Sequence, residues 1–386
     1  MPRLKVAIIT PGVYPIPGHK SSSVEFVVQH TSNLLQKDVE VTIFGMKTKR
    51  QSFIERNGNI TYYRYIFKTK TYIQQVIDQL QHDMPDIIQI ENRPRIVKAI
   101  RHAFPNAKII LNLHSVKFIS PPYMNNQKLI SYLNMTNAIM VNSHFLKNYL
   151  INQTNCNSEK INVNHLGVNT EQFKSKWELD SRGASLEILR KKLGVSNHKI
   201  LLYAGRLIEI KGVHHILEAM PELIKADPSI RLVIAGSALE FSSKQTGYTE
   251  SLIKLTEDIK DYVVFTSFIP HDKIHELFQI SDLLVVPSAQ NEAFGLVNVE
   301  GMAAGTPVIA TKSGGIPEII EHGKTGFLID PTNVREEITK YIHFLLSNPV
   351  KIQQMGQESV LRVRNNFTWQ HTVERLLQLY QELQDG

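Results

Sequence analysis

The sequence lacks several features that define large classes of proteins. Cys156 is the only cysteine among 386 residues, which excludes an internal disulfide and any metal site built on several cysteines. No run of 18 apolar residues occurs, so no transmembrane helix is predicted, and the amino terminus carries no signal-peptide cleavage pattern. We therefore expect a protein of a reducing compartment, located in the cytoplasm.

Common nucleotide-binding and metal-binding motifs are also missing. No two glycines are separated by one residue, so the G-x-G-x-x-G dinucleotide fingerprint is absent, and no G-x-x-x-x-G-K-[ST] phosphate loop occurs. No D-x-D pair is available for a metal, and the adjacent His214 and His215 cannot both face one ion from a helix. We therefore expect no metal and no cofactor.

The positive charge is concentrated in the first half of the chain. Residues 1–195 hold 26 Lys and Arg against 13 Asp and Glu, a net charge of +13; the remaining residues hold 17 against 23, a net charge of −6. This distribution suggests an anionic acceptor, an acidic polymer or a membrane surface as partner. The alternative is a soluble surface with scattered lysines. Basic and aromatic residues do not alternate as in a nucleic-acid groove, so no nucleic acid is expected.

Short apolar, β-branched runs alternate with segments of helical periodicity along most of the chain. Continuous apolar runs indicate strands that are buried on both faces, hence parallel sheets covered by helices. The runs predicted as strands are 5–10, 39–45, 86–90, 108–114, 138–143, 199–205, 231–236, 263–268, 283–288 and 307–311. The pattern predicts an α/β protein with doubly wound sheets.

The polar stretch 174–185 interrupts this pattern and is predicted to link two Rossmann-like domains that face across a cleft. The predicted boundaries are 1–175 for the first domain and 186–366 for the second. A last segment, 367–386, carries an apolar stripe over one face of a helix, which requires a partner surface. The stripe consists of Trp369, Val373, Leu376, Leu377, Tyr380 and Leu383.

Two cations follow the first strand of the second domain. Arg206 comes directly after "LLYAG", and Lys211 with Gly212 opens the next helix. Ligands of parallel sheets bind beyond the carboxyl ends of strands, and a helix N-terminus already favours an anion. Arg and Lys at this place suit a diphosphate. The alternative is a pair of solvated cations.

Two carboxylates flank a helix start in "NEAFGLVNVE", residues 291–300. Glu292 lies just before the predicted helix, Gly295 removes side-chain bulk at its start, and Glu300 lies about a turn and a half inside it. Glu300 is suited to bind the two hydroxyls of a ribose. The alternative is that Glu292 caps the helix and that Glu300 lies on the surface.

Three further features follow predicted strands. Gly18 and the serines at 21–23 form a loop rich in donors after the first strand, and substrate contact there is one interpretation. His114 ends the strand "LNLH"; a histidine at this edge is catalytic or merely a well-packed residue. Gly314 and Gly315 precede "IPE", a pattern that helix capping explains fully.

These motifs together resemble the signature of the family 4 retaining glycosyltransferases of the GT-B architecture. The motifs that carry the resemblance are "GR" (205–206), "KG" (211–212), "NEAFGLVNVE" (291–300), "GGIPE" (314–318), "NHLGVNTEQF" (164–173) and "FTWQHTVERLLQLY" (367–380). Within the family, "ENRP" (91–94) and "FKSKW" (173–177) are most similar to the spore-coat SA-type glycosyltransferases of bacilli.

The resemblance implies a role for each candidate residue. Arg206 and Lys211 would hold the diphosphate of the donor, Glu300 its ribose, and Glu292 the hydroxyls of the transferred sugar. The backbone of Phe294, Gly295 and Leu296 would lie along the phosphate and the sugar, His114 would contact the sugar, and Gly18 would approach the donor. The chain departs from the family where His19 follows Gly18 in place of a second glycine, and where "LHS" replaces the more frequent "HD".

The implied activity is transfer of a hexosyl group, of the glucose or N-acetylglucosamine type, from a UDP-linked donor to an acceptor hydroxyl. The anomeric configuration would be retained, and no metal would be needed. The first domain would bind the acceptor, which would be a sugar, a small molecule or a precursor of a cell-surface or coat glycan. The second domain would bind the nucleotide sugar, and the last helix would cross back onto the first domain.

Peripheral membrane or spore-coat contact is a further expectation. The alternatives are a nucleotide-sugar 2-epimerase and a non-catalytic coat or assembly protein.

Overall fold

The computed structural model describes residues 3–18, 22–66, 69–178, 183–236, 246–266 and 269–385. By contacts the chain divides into two units. The first unit comprises Met1–Leu166 and Trp369–Gly386, and the second comprises Gly167–Thr368. Each unit contains its own sheet and its own apolar core.

The described part of the first unit contains an eight-stranded sheet with the order β3-β4-β2-β1-β5-β6-β7-β8. The strands are β1 (Lys5–Ile9), β2 (Glu40–Met46), β3 (Ile54–Asn57), β4 (Ile60–Tyr65), β5 (Ile87–Glu91), β6 (Lys108–Leu113), β7 (Ala138–Val141) and β8 (Ile161–Val163). Neighbouring strands are parallel, except that β3 pairs with β4 in the antiparallel sense. All residues of β5 and β7 are buried, as expected for central parallel strands covered by helices.

Helices connect the strands of this sheet. They are α1 (Ser23–Leu35), α2 (Thr69–Asp83), α3 (Pro94–Ala103), α4 (Asn126–Asn134) and α5 (His144–Thr154). Helix α1 begins where Ser22 caps it, since the Ser22 hydroxyl accepts a hydrogen bond from the Val24 N–H at 3.3 Å. Because β1 continues into this helix, the loop between them lies at the carboxyl edge of the sheet.

The described part of the second unit contains a six-stranded, all-parallel sheet with the order β11-β10-β9-β12-β13-β14. The strands are β9 (Lys199–Ala204), β10 (Ile230–Ala235), β11 (Val263–Thr266), β12 (Leu283–Val286), β13 (Val308–Thr311) and β14 (Gly326–Ile329). The helices are α6 (Gly183–Lys192), α7 (Val213–Ala226), α8 (Gly247–Leu255), α9 (Ile274–Ile280), α10 (Leu296–Ala303), α11 (Ile316–Ile319), α12 (Val334–Leu346) and α13 (Pro349–Asn366).

The last helix, α14 (Trp369–Asp385), belongs to the first unit and packs against α1. Its residues Val373, Leu376, Leu379 and Tyr380 join the apolar cluster that contains residues of β1 and β2. At its start, the Trp369 ring stacks on His30 of α1, with ring centroids 5.3 Å apart. The apolar stripe of this segment is therefore covered within its own unit.

The predicted fold class is confirmed: both units are α/β with parallel, Rossmann-like sheets. All ten predicted strands are present, with ends that shift by one or two residues; residues 267–268 lie outside the described ranges. The predictions omitted β3, β4, β8 and β14. Strand β4 was missed because its burial alternates along the strand, so its sequence lacks the continuous apolar run of a central strand.

Among the helices of the described residues, none combines the length with the apolar composition that a membrane span requires.

Candidate functional site

The sheet of the second unit reverses its strand order between β9 and β12. The chain builds β10 and β11 outward on one side of β9 and then places β12 on the other side. In open α/β sheets such a switch point leaves a crevice at the carboxyl ends of the two strands, where ligands bind. Arg206 and Lys211 follow β9, and Glu292 follows β12, so the switch point brings these predicted site residues together.

Lys211 and Glu292 form an ion pair across this switch point. Lys211 ends a 3₁₀ turn, Glu209–Lys211, and Gly212, the N-cap of α7, has a φ of +72°. A Cβ at position 212 would lie 2.0 Å from the Pro287 carbonyl oxygen, so only glycine fits this approach. The backbone beside it is tied to the end of β12, because the Ala289 N–H donates to the Ile210 carbonyl at 2.8 Å.

The charges around Glu292 favour its ionised form. Burial acts to raise the pKa of the Glu292 carboxyl, but the charge and hydrogen bond of Lys211, a hydrogen bond from Ser288 and the charge of Arg206 outweigh it, and the pKa is lowered. Arg206 itself is exposed, and its carbonyl accepts a hydrogen bond from the Tyr203 hydroxyl at 2.8 Å. The site therefore holds an ionised carboxylate that is paired with Lys211 and further stabilised by the charge of Arg206.

The glycine pair after β13 fixes the backbone of Glu292. Gly314 has a φ of +54°, and a Cβ there would lie 1.8 Å from the Glu292 carbonyl oxygen. The Gly315 N–H donates to the same oxygen at 2.9 Å. Helix capping explains the sequence signal "GG"; in the structure the pair also supports the backbone of Glu292 at the switch point.

Helix α10 begins at Leu296, with Gly295 as its N-cap at a φ of +88°. Gly295 has no side chain with which to cap the helix, and the Glu292 carboxylate lies in an ion pair with Lys211. The first N–H groups of a helix carry partial positive charge and are ready to bind an anion. Phe294 is buried beside them, 2 % exposed, with its ring 6.2 Å from that of Phe367.

Glu300 lies on the buried side of α10 and is 6 % exposed, so the alternative of a surface carboxylate is also wrong. Its Oε1 lies 2.6 Å from Nε2 of His271. His271 is not among the residues predicted from the sequence, because it lies five residues after the end of β11 and not at the end of a strand as His114 does.

In the first unit, His114 follows β6 and contacts Glu91, the last residue of the neighbouring strand β5. The His114 Nε2 lies 2.6 Å from Oε2 of Glu91, and the side chains are 7 % and 0 % exposed. The backbone N–H of His114 donates a hydrogen bond to Oδ1 of Asn92 at 3.2 Å. Glu91 entered the sequence analysis only as part of "ENRP", without a role.

Gly18 lies in the loop after β1, at the switch point between β1 and β5 of the first sheet. A Cβ at this position would lie 2.9 Å from Cγ of Pro15, so the loop turns tightly there. His19 and Ser21, which belong to the predicted donor-rich loop, lie outside the described residues. Glu25, in the first turn of α1, is fully buried, and burial raises the pKa of its carboxyl.

Two family models match the chain in succession. The model described as Glycosyltransferase Family 4 matches residues 24–172, and the model described as Glycosyl transferases group 1 matches residues 186–361. Together they cover most of both units.

Similar proteins include two from Bacillus subtilis (strain 168). Spore coat protein SA is 28% identical over 98% of this chain and 100% of its own length. The putative glycosyltransferase YtcC is 29% identical over 98% of this chain and 92% of its own length. Among solved structures, Anabaena Alr3699/HepE in complex with UDP-glucose matches with a TM-score of 0.78 at 19% identity, covering 98% of this chain and 100% of that one. At this sequence identity the match to the Anabaena structure shows a similar fold.

Proposed function

Because the chain belongs to the glycosyltransferases that these two models describe, we propose that it transfers a hexosyl group from a UDP-sugar to an acceptor hydroxyl, with retention and without a metal. The observation that carries this proposal is the Lys211–Glu292 ion pair beside Arg206 at the β9–β12 switch point. The UDP-glucose bound to the Anabaena structure supports a UDP-linked donor.

The diphosphate of the donor would be bound by Arg206, Lys211 and the N-terminus of α10. An ammonium has three donors, so Lys211 can keep its bond to Glu292 while it binds a phosphate oxygen. Departure of a diphosphate requires stabilisation of developing negative charge. One preorganised hydrogen-bond donor lowers the activation free energy of such a step by about 3–4 kcal/mol. The leaving group is already acidic, so no protein acid is required.

Glu292 and Glu300 would bind hydroxyl groups at the two ends of the donor. Glu292, ionised and fixed through its backbone by Gly315, would accept hydrogen bonds from the transferred sugar. Glu300 uses Oε1 for His271, which leaves Oε2 for a hydroxyl of the ribose. Neither carboxylate would transfer a proton.

The family resemblance implies a front-face displacement as the route to retention. The bond between the anomeric carbon and the phosphate oxygen breaks, and the acceptor oxygen forms its bond on the same face of the sugar. The acceptor proton goes to the departing phosphate, so charge and atoms balance without a protein base. His114 in the first unit would contact the transferred sugar, and Gly18 would approach the donor.

The acceptor would be anionic or held near an anionic surface, since residues 1–195 carry a net charge of +13. A sugar, a small molecule or a precursor of a coat or cell-surface glycan fits this description. The name of the similar spore coat protein favours the coat precursor.

Incubation with UDP-glucose and with UDP-N-acetylglucosamine, without acceptor, tests the proposed function. The transferase predicts slow release of UDP and free sugar from one donor, unchanged by EDTA. An epimerised nucleotide sugar would instead identify a 2-epimerase. Absence of binding to either donor would favour a non-catalytic coat protein, and loss of turnover with EDTA would contradict the metal-free mechanism.

A further inference from the structure

Four side chains of the first unit form a continuous hydrogen-bonded series that ends at His114; we name this series the His114 network. The Tyr380 hydroxyl of α14 donates to Oε1 of Gln89 at 2.7 Å, and Nε2 of Gln89 donates to Oε1 of Glu91 at 2.5 Å. Oε2 of Glu91 lies 2.6 Å from Nε2 of His114. Tyr380, Gln89 and Glu91 are 0 %, 3 % and 0 % exposed, so water does not replace these contacts.

The position of Gln89 and Glu91 is costly for a core. They alternate with Ile88 and Ile90 on β5, so they share one face of a central strand whose residues are all buried. Burial of a carboxylate destabilises a protein unless hydrogen bonds satisfy the group, and apolar side chains at these positions would pack without that cost. Tyr380 reaches Gln89 from α14, 291 residues away in sequence. Stability alone does not account for this arrangement.

The donors around Glu91 determine which nitrogen of His114 carries a proton. Oε1 of Glu91 accepts from the side-chain NH₂ groups of Gln89 at 2.5 Å and of Asn112 at 3.4 Å, and an NH₂ nitrogen can only donate. Oε2 is then the acceptor for an Nε2–H of His114. The lone pair of the neutral ring is thereby placed on Nδ1, the nitrogen left for a ligand.

We propose that Glu91 is a positioning residue that holds His114 in its Nε2–H form, and that Gln89 and Tyr380 hold Glu91 in turn. Nδ1 of His114 then accepts a hydrogen bond from a hydroxyl of the transferred sugar. Helix α14 therefore supports the chemistry of the first unit as well as its core. This last step rests on the proposed function, in which His114 contacts the sugar.

The substitution Glu91→Gln tests the protonation of His114 without any substrate. The new amide oxygen continues to accept from Gln89 and Asn112, so its NH₂ group faces Nε2 of His114 and donates to it. NMR spectra of protein labelled with ¹⁵N-histidine, recorded in alkaline buffer, should show Nε2 protonated in the parent protein and Nδ1 protonated in Glu91→Gln. The resonance that disappears in His114→Gln identifies the ring. An unchanged Nε2–H form in Glu91→Gln would overturn the inference.

Turnover of the UDP-sugar separates this inference from the proposed function. Glu91→Gln should lower kcat by on the order of 10²-fold or more, as for other histidines held in the wrong tautomer, with unchanged affinity for UDP. A switched tautomer with unchanged kcat would instead contradict the role of His114 in the proposed function, while the positioning by Glu91 would stand.

A second variant, Tyr380→Phe, covers the case in which Glu91→Gln fails to fold. This variant leaves Oε1 of Gln89 without its donor, and an unsatisfied buried acceptor weakens the hold of Gln89 on Glu91. We therefore expect kcat to fall about 3–10-fold and the affinity for UDP to stay constant. The matched control is Tyr149→Phe, which removes a hydroxyl that bonds Ser120 at 2.8 Å outside the His114 network and should keep the parental kcat. Equal kcat in both variants would overturn the part assigned to α14.

Discussion

At the scale of single residues, both carboxylates of "NEAFGLVNVE" are held by a side-chain partner. Glu292 is paired with Lys211, and Glu300 is paired with His271 at 2.6 Å. Each carboxylate thus keeps a fixed position, which matches a role in binding hydroxyl groups. A general acid would instead need a carboxyl with a raised pKa, whereas Lys211 and Arg206 lower the pKa of Glu292.

His271 should control the affinity of the second unit for UDP through Glu300. His271→Leu removes the donor and frees the Glu300 side chain, so the Kd of UDP should rise about tenfold, the effect of one hydrogen bond to a charged group. His271→Gln retains an N–H near the same place and should stay within a few-fold of the parent. Calorimetric titration with UDP measures both; equal affinity in His271→Leu would show that Glu300 needs no such support.

The ion pair of Glu292 predicts a dependence of stability on pH. The pKa of Glu292 in the folded protein lies below its ordinary value of 4.5. The unfolded chain therefore takes up a proton more readily, so the pair stabilises the protein fully above pH 4.5 and less as the pH falls through the folded pKa. Urea denaturation of the parent and of Glu292→Gln should show a difference in unfolding free energy that shrinks below pH 4.5. A difference independent of pH would contradict the pairing.

At the scale of elements, the central strands were predictable, whereas the strands β3, β4, β8 and β14 and several of the contacts between strand ends were not. Continuous apolar runs identified the central strands, and the rule that ligands bind beyond strand ends placed Arg206, Lys211 and Glu292 together. The pairing of Lys211 with Glu292 depends on a 3₁₀ turn and on residues 81 positions apart, which no local pattern encodes. The His114 network joins β5 to α14, and the sequence marks neither Gln89 nor Tyr380 as polar partners.

The turn after β13 has a role beyond the helix capping that its sequence predicts, because it contacts the backbone of Glu292. Gly314→Ala places a methyl group against the Glu292 carbonyl, so it should displace Glu292 and abolish most turnover, besides the cost of about 1–3 kcal/mol for a left-handed alanine. Gly323→Ala is the matched control, since Gly323 has a φ of +78° and no neighbour within 4 Å of the added Cβ. Denaturation and UDP-sugar turnover should separate them; equal turnover in the two variants would contradict the support of Glu292 by the turn.

At the scale of the whole molecule, the proposed site residues are distributed over the two units of the chain. Arg206, Lys211, Glu292 and Glu300 all belong to the second unit, and His114 belongs to the first. The chain returns to the first unit only through α14, which supplies both apolar packing and the hydroxyl of Tyr380. The first unit is therefore complete only when the last helix is present.

The kinetic effect of Lys211→Ala tests the central claim most directly, because that claim assigns stabilisation of the departing diphosphate to the cations of the second unit. Lys225→Ala, which removes an exposed lysine at the far end of α7, is the matched control. With UDP-sugar as substrate, Lys211→Ala should lower kcat on the order of 10²-fold or more, while Lys225→Ala should keep the parental value. An unchanged kcat in Lys211→Ala would contradict the account.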